Sequence, residues 1–213
     1  MGFRAVIFDL GGVVLPSPFT AFRAYERRQG LPHQFVSEVV VAGGEHGAWS
    51  RFERGELDPD AFATAFEAEC AAAGETVVVA DLFAEMGAGG GGPHPRMVDA
   101  IGAIRARGLR TAALTNNWIA ADGPTPLVHL LDGLFDTIVE SAREGLRKPD
   151  PRIYALTCTR LGIAAHESVF LDDIGANLKP ARAMGMATVK VEDPAVALDE
   201  LAGLLGFPLG GTP

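Results

Sequence analysis

Cysteine is scarce in this chain. Of 213 residues only Cys70 and Cys158 carry thiols, and they lie far apart. That argues against a disulfide framework and suits two structural thiols in a reducing cytosol. Long apolar runs are lacking too: no stretch of about eighteen apolar residues is available to span a bilayer. Basic charge is thin. The formal net charge is −9, and Lys and Arg are scattered with no run longer than two. A nucleic-acid or anionic-membrane partner needs a basic face, so neither is expected. The opening MGFRAVIFDL moves straight into a short apolar run without a signal-peptide cleavage pattern, and a soluble cytoplasmic protein is expected. There is no internal repeat.

What is present is enough apolar residue, 48% of the chain, for one substantial core. That fits one domain with an insertion, or two unequal lobes. The first strand candidate is Ala5 to Leu10, ended by two glycines. From about Met97 onward helix and strand alternate. MVDAIGAIRARG reads as an amphipathic helix, Arg110 to Leu114 as a buried strand, and Thr137 to Ser141 as another. PRIYALTCTRLG is a helix opened by Pro151 and closed by Gly162. SVFLDD is a strand ending in acids, ANLKPARAMG a helix, MATVKV a last strand, and PAVALDELAGLLG a final helix. The alternation predicts an α/β fold, a Rossmann-like parallel sheet covered on both faces.

Between Leu15 and Gly92 the pattern differs. TAFRAYERRQG, HQFVSEVVVAGG and PDAFATAFEAECAAAG look helical, TVVVA (Thr76 to Ala80) is ambiguous, and the glycine-rich Gly87 to Pro95 reads as a hinge. The expected layout is a core of residues 1–15 and 93–213, with residues 16–92 as a helical cap inserted after the first strand.

In an open parallel sheet, ligands bind beyond the carboxyl ends of the strands. This chain places Asp9 after the first strand and Thr115-Asn116-Asn117 after the second. Lys148 comes in the loop after the third, and Asp172-Asp173 with Asn177 after the fourth. Each alone has an ordinary explanation: a strand terminator, a turn, a solvated loop lysine, a helix N-cap. Together they form a cation site facing an anion site. Asp9 and Asp173 offer hard oxygen ligands for Mg²⁺, which takes one or two carboxylates and keeps several waters. Thr115 and neighbouring backbone N–H groups can hold phosphate oxygens, and Lys148 can offset the gathered negative charge.

The stretches FDLGGVV, LTNN, RKPDPRIY and VFLDDIGANLKPARAMG, in that order and strand context, resemble the four motifs of the haloacid dehalogenase (HAD) superfamily. The resemblance covers essentially the whole chain and places the cap between the first two motifs. More narrowly, VFLDDIGANLKPARAMGM and KPDPRIY look like the phosphatase domain of soluble epoxide hydrolase and the phosphatase-like domain fused to some acyl-CoA dehydrogenases. The cap stretch GGEHGAWSRFERGEL is similar to the latter group. The resemblance implies that Asp9 attacks phosphorus to give an aspartyl-phosphate. Mg²⁺ would be held by Asp9, the Gly11 carbonyl and Asp173, with Asp172 and Asn177 behind them. Thr115 with Asn116 would bind phosphate, and Lys148 would hold nucleophile and phosphate together.

The departure is at Gly11, where most phosphatases of this superfamily carry a second aspartate that protonates the leaving alcohol. Such general acid–base catalysis typically contributes 10²–10⁴-fold, or about 3–5 kcal/mol of barrier. Three readings follow. One is a slow or leaving-group-selective phosphatase of a small organic phosphate, with a water or a cap residue, Glu45 or His46 as candidates, replacing the acid. Another is a weakly active or inactive module binding a phosphorylated ligand or a partner. The third is a 2-haloacid dehalogenase, whose relatives lack the second aspartate but also lack the acidic pair and the metal. Trp49, Arg51 and Arg54 are candidate cap contacts, with packing in the cap core the commoner fate of such a tryptophan. His33, His94, His129 and His166 are given no role, and oligomeric state is not legible.

Overall fold

The computed structural model describes residues 2–88, 91–119, 131 and 133–209. Among these, β1 (Ala5–Phe8), β2 (Arg110–Thr115), β3 (Thr137–Glu140), β4 (Ser168–Asp172) and β5 (Ala187–Lys190) form one parallel sheet in the order β3-β2-β1-β4-β5. The chain steps outward from β1 to β3, then crosses back to lay β4 against the other edge of β1. The strand order therefore reverses between β1 and β4, the place where open α/β sheets bind ligands. Register aligns Phe8 with Leu171, and the Asp9 N–H still donates to the Leu171 carbonyl at 2.9 Å. Asp9 and Asp172 consequently end adjacent strands at the same level.

Alternation along the strands builds the two faces. Val6, Phe8, Ala113, Val169, Leu171 and Val189 pack on α6 (Pro95–Ala106) and α10 (Pro194–Leu205). On the other face Ala5, Ile7, Ala112, Leu114 and Phe170 meet α8 (Pro151–Leu161) and α9 (Gly175–Ala183). Cys158 lies in this second layer and Cys70 in the helical unit described next. Both are free and buried, and burial pushes their thiols up, Cys70 to about 12, which makes them inert packing groups.

Between β1 and α6, five helices surround a core of their own. They are α1 (Pro18–Gln29), α2 (Phe35–Gly43), α3 (Ala48–Glu53), α4 (Pro59–Ala72) and α5 (Val79–Ala88). The ambiguous TVVVA is an extended approach that turns into α5: its β-branched run finds no strand to pair with, and Val77 and Val79 bury into this core instead. Only α4 among these helices is capped by its own Asp58, which accepts from Ala61 N–H at 2.8 Å. Glutamates from other helices cap three more. Glu26 accepts from Gln34 and Val36 at the start of α2, Glu69 from Ala48 of α3, and Glu67 from Val79 of α5. Orphan N–H groups at helix starts are thus satisfied by tertiary contacts.

One aromatic side chain ties the two units together. Trp118, just past β2, stacks on Phe83 at 5.4 Å and on Phe52 at 5.7 Å, with Trp49 at 6.0 Å. Trp49 itself is buried in the helical core, not presented to a ligand. Of the expected hinge at 87–95, Gly87 and Ala88 end α5, Pro95 begins α6, and residues 89–90 lie outside the described residues; His129 lies outside them as well.

Candidate active site

Lys148 organises the site. Its ammonium lies 2.7 Å from Asp9 Oδ1 and 2.7 Å from Asp172 Oδ2, and the side chain is 1% exposed. Long flexible lysines are almost never buried this completely unless paired. Burial pulls its pKa down, but the two carboxylates outweigh that and hold it above its ordinary value. The main chain at Lys148 is fixed as well: its N–H donates to Asn116 Oδ1 at 2.8 Å, and the Asn116 Nδ2 donates to its carbonyl at 3.0 Å. The carboxamide of Asn116 is therefore engaged with the Lys148 main chain.

Asp172 is saturated. It accepts from Lys148, from Ile174 N–H at 2.8 Å, and from Asn177 Nδ2 at 3.1 Å on both oxygens. Asn177 is in turn held by Tyr154, whose hydroxyl donates to its carbonyl at 2.7 Å. Asp9 takes Leu10 N–H (2.7 Å) and Lys148 on the same oxygen, Oδ1, so Oδ2 is its open oxygen. Asp173 points past Gly12. A Cβ on Gly12 would stand 2.2 Å from Asp173 Oδ2, and the backbone there has φ +80°. Only glycine allows both the turn and the close approach. The signal was the second glycine of the pair, which alone reads as a turn residue.

Asp9, Asp172 and Asp173 each bring an oxygen within 4.8 Å of the others. The Lys148 ammonium contacts two of these carboxylates, Asp9 and Asp172, and leaves Asp173 without a basic partner in contact among the described residues. Burial first, then Asp172, pushes Asp9 well above the ordinary carboxylate range against the pull of Lys148. Burial and then Asp172 push Asp173 up to about 6. A hard divalent cation at the open oxygens of Asp9 and Asp173 answers that imbalance, so the donor set fits Mg²⁺. Thr115 ends β2, the strand paired with β1, and is buried, its hydroxyl making one long contact, 3.4 Å to the Asn116 carbonyl.

Gly11 differs from Gly12. Its φ lies outside the left-handed region, and a Cβ there meets Pro18 Cδ at 3.3 Å, tight but not blocked. Glu45 and His46 are exposed on a short 3-10 turn. They line a cleft with Arg54, Arg147, Pro149, Asp150 and Arg152, and Asp9, Thr115 and Asp173 are not among its walls. The cleft does include both sequence neighbours of Lys148. Arg51 faces Glu56 at 3.6 Å.

Comparison with known proteins agrees with this geometry. The family description "haloacid dehalogenase-like hydrolase" matches residues 3–185. Acyl-CoA dehydrogenase family member 10 of Mus musculus is 42% identical over 209 residues, which is 97% of this chain and 20% of that protein. Bifunctional epoxide hydrolase 2 of Sus scrofa is 36% identical over 226 residues, 100% of this chain and 40% of that protein. The chain thus spans well under half the length of these two relatives. A sesquiterpene phosphatase of Aspergillus oryzae is 28% identical over 211 residues, 96% of this chain and 97% of that protein. A HAD family enzyme of Bacteroides thetaiotaomicron, solved in complex with magnesium and inorganic phosphate, shares the fold with a TM-score of 0.62. It is 20% identical and covers 90% of this chain and 97% of that one. No helix among the described residues is long and apolar enough to cross a membrane. From the strand ends, their spacing and these matches, the chain belongs to the haloacid dehalogenase-like hydrolases.

Proposed function

We propose that this protein is a Mg²⁺-dependent phosphomonoesterase that cleaves a small organic phosphate through an aspartyl-phosphate at Asp9. The observation that carries the reading is the Lys148 ammonium wedged at 2.7 Å between Asp9 and Asp172, with Asp173 left open beside them. Asp9 Oδ2 attacks phosphorus, the ester P–O bond breaks, and the alkoxide leaves with the electron pair and takes a proton from solvent. Water then attacks the same phosphorus and gives its proton to solvent, and the bond from Asp9 Oδ2 to phosphorus breaks to return the carboxylate and inorganic phosphate. Lys148 balances the charge of nucleophile and phosphoryl group, and the Thr115 hydroxyl donates to a phosphoryl oxygen. Asn116 contributes its main chain, since its side chain holds Lys148. Asp9, the Gly11 carbonyl and Asp173 would hold Mg²⁺, which supplies further neutralisation at the phosphoryl oxygens, while Asn177 keeps Asp172 fixed behind them. Residues 16–92 serve as the cap that sets the organic part of the substrate. The near full-length match to a sesquiterpene phosphatase supports the reaction class.

Glycine at position 11 favours a second reading, a phosphate-ligand-binding module with little turnover, because it removes the side chain that would protonate the leaving alcohol. The three clustered carboxylates count against a haloacid dehalogenase, which needs no cation site. Hydrolysis of an aryl phosphate, with and without Mg²⁺, decides between the first two. Turnover that requires Mg²⁺ and vanishes in Asp9→Asn supports the phosphatase. Phosphate binding without such turnover supports the module.

A further inference from the structure

Lys148 is clamped on one side by Asn116, and its other neighbour, Arg147, is held from the helical cap. Glu53, the last residue of α3, accepts from Arg147 Nε at 2.8 Å and from Nη2 at 2.8 Å on the same oxygen, Oε2. Its Oε1 accepts from Trp49 Nε1 at 3.0 Å, which fixes the carboxylate within the aromatic core of the cap. Glu53 is 8% exposed, and the Arg147 side chain 21%. Burial raises the Glu53 pKa, while Arg147 and then Trp49 oppose that rise. The contact is reinforced two residues on. Gly55, at φ +68°, approaches α7 (Ser141–Glu144) so closely that a Cβ would lie 2.4 Å from the Ala142 carbonyl oxygen. This corner of the cap is therefore seated on the core at the loop that delivers Lys148.

We propose that Glu53 is a positioning residue for Lys148. From the cap, and without touching substrate, it holds Arg147 and so sets the main-chain entry to the lysine that contacts Asp9. The role assigned to Lys148 rests on the phosphatase reading; the coupling itself does not require turnover. A buried carboxylate with one strong guanidinium partner could serve only to stabilise the fold. The two roles separate in what they do to Lys148. Displacements of about 1 Å at a reacting group can cost on the order of 10²-fold in rate, so loss of the clamp should appear in kcat more than in KM.

The test uses Glu53→Gln, Arg147→Lys and Lys148→Met, each checked for a native circular-dichroism spectrum. Two readouts are taken: aryl phosphate kinetics, and calorimetric binding of inorganic phosphate in Mg²⁺. Glu53→Gln and Arg147→Lys should each lower kcat about 10-fold, with KM within about threefold, and weaken phosphate binding about fivefold. In the Lys148→Met background, Glu53→Gln should leave phosphate binding unchanged, because its route of action is gone. Should Glu53→Gln fail to fold, Arg147→Lys, at the solvent edge, carries the test. Folded variants within about twofold of wild type in both readouts would overturn the proposal. An equal loss from Glu53→Gln with and without Lys148 would overturn it too. A wild type that binds phosphate but hydrolyses nothing defeats the phosphatase reading, and the calorimetry still judges Glu53.

Discussion

Gly12 leaves open the space that the Asp173 carboxylate fills: a Cβ on the first would stand 2.2 Å from Oδ2 of the second. The turn after β1 is thus shaped to admit an acid from the end of β4. Gly12→Ala would incur about 1–2 kcal/mol for the left-handed backbone and also push Asp173 aside. The expected outcome is Mg²⁺ affinity reduced at least about 10-fold, read by calorimetry, the scale on which groups that position a ligand act.

Gly11→Asp should behave in the opposite sense. The backbone there suits any residue, and Pro18 Cδ at 3.3 Å has only to yield a few tenths of an ångström. Restoring a general acid should raise hydrolysis of an alkyl phosphate by at least about 10-fold, within the usual 10²–10⁴-fold reach of such groups. An aryl phosphate, whose leaving group needs no proton, should change little. Steady-state kinetics on the matched pair of esters checks this.

Stability should depend on pH and Mg²⁺ together. Asp173 is raised to about 6, and Asp9 is raised as well, both above their unfolded values. A raised acid binds more protons in the folded state, so its stabilising contribution is present at low pH. That contribution is lost as pH rises through the folded pKa. The metal-free protein should therefore lose stability from about pH 4, where unfolded aspartate titrates, upward through about pH 6 for Asp173 and about pH 8 for Asp9. Mg²⁺ should restore it, and increasingly so at higher pH, because binding displaces those protons. Thermal melts across pH, with Mg²⁺ and with chelator, measure both trends.

Trp118 should hold cap and core together. Trp118→Ala removes its stacking on Phe83 and Phe52. The expected loss is about 2–3 kcal/mol, below the ~3–5 of a fully buried aromatic because Trp118 is half-buried. Urea denaturation gives the loss, and faster limited proteolysis within residues 16–92 would locate it.

The strands and their terminal acids were legible in the sequence because a buried parallel strand is a short apolar run, and a charged residue at its end stands out. Asp9, Asp172 and Asp173 stand out this way, and the structure brings them together with Lys148 and Asn177, whereas Thr115, Lys148 and Asn177 gain a role only from the combination of strand ends and the family resemblance. What stayed hidden depends on contacts between distant segments. Glu53 and Arg147 are 94 residues apart, and neither lies in a pattern that names the other. Asn116 reads as a polar strand-end residue, and only the fold shows its carboxamide turned to the Lys148 main chain. Val77 to Val79 has strand composition but no strand beside it, so burial in the helical core decides its form. The helices α2, α3 and α5 lack a capping side chain of their own because Glu26, Glu69 and Glu67 supply one from elsewhere.

Phosphorylation of Asp9 is read by rapid-quench mass spectrometry during turnover of an aryl phosphate. A peptide containing Asp9 should gain the mass of one phosphoryl group. The adduct should form only with Mg²⁺ and be absent in Asp9→Asn. Aryl phosphate hydrolysed at the wild-type rate by Asp9→Asn, with no phosphorylated peptide, would contradict a nucleophilic Asp9.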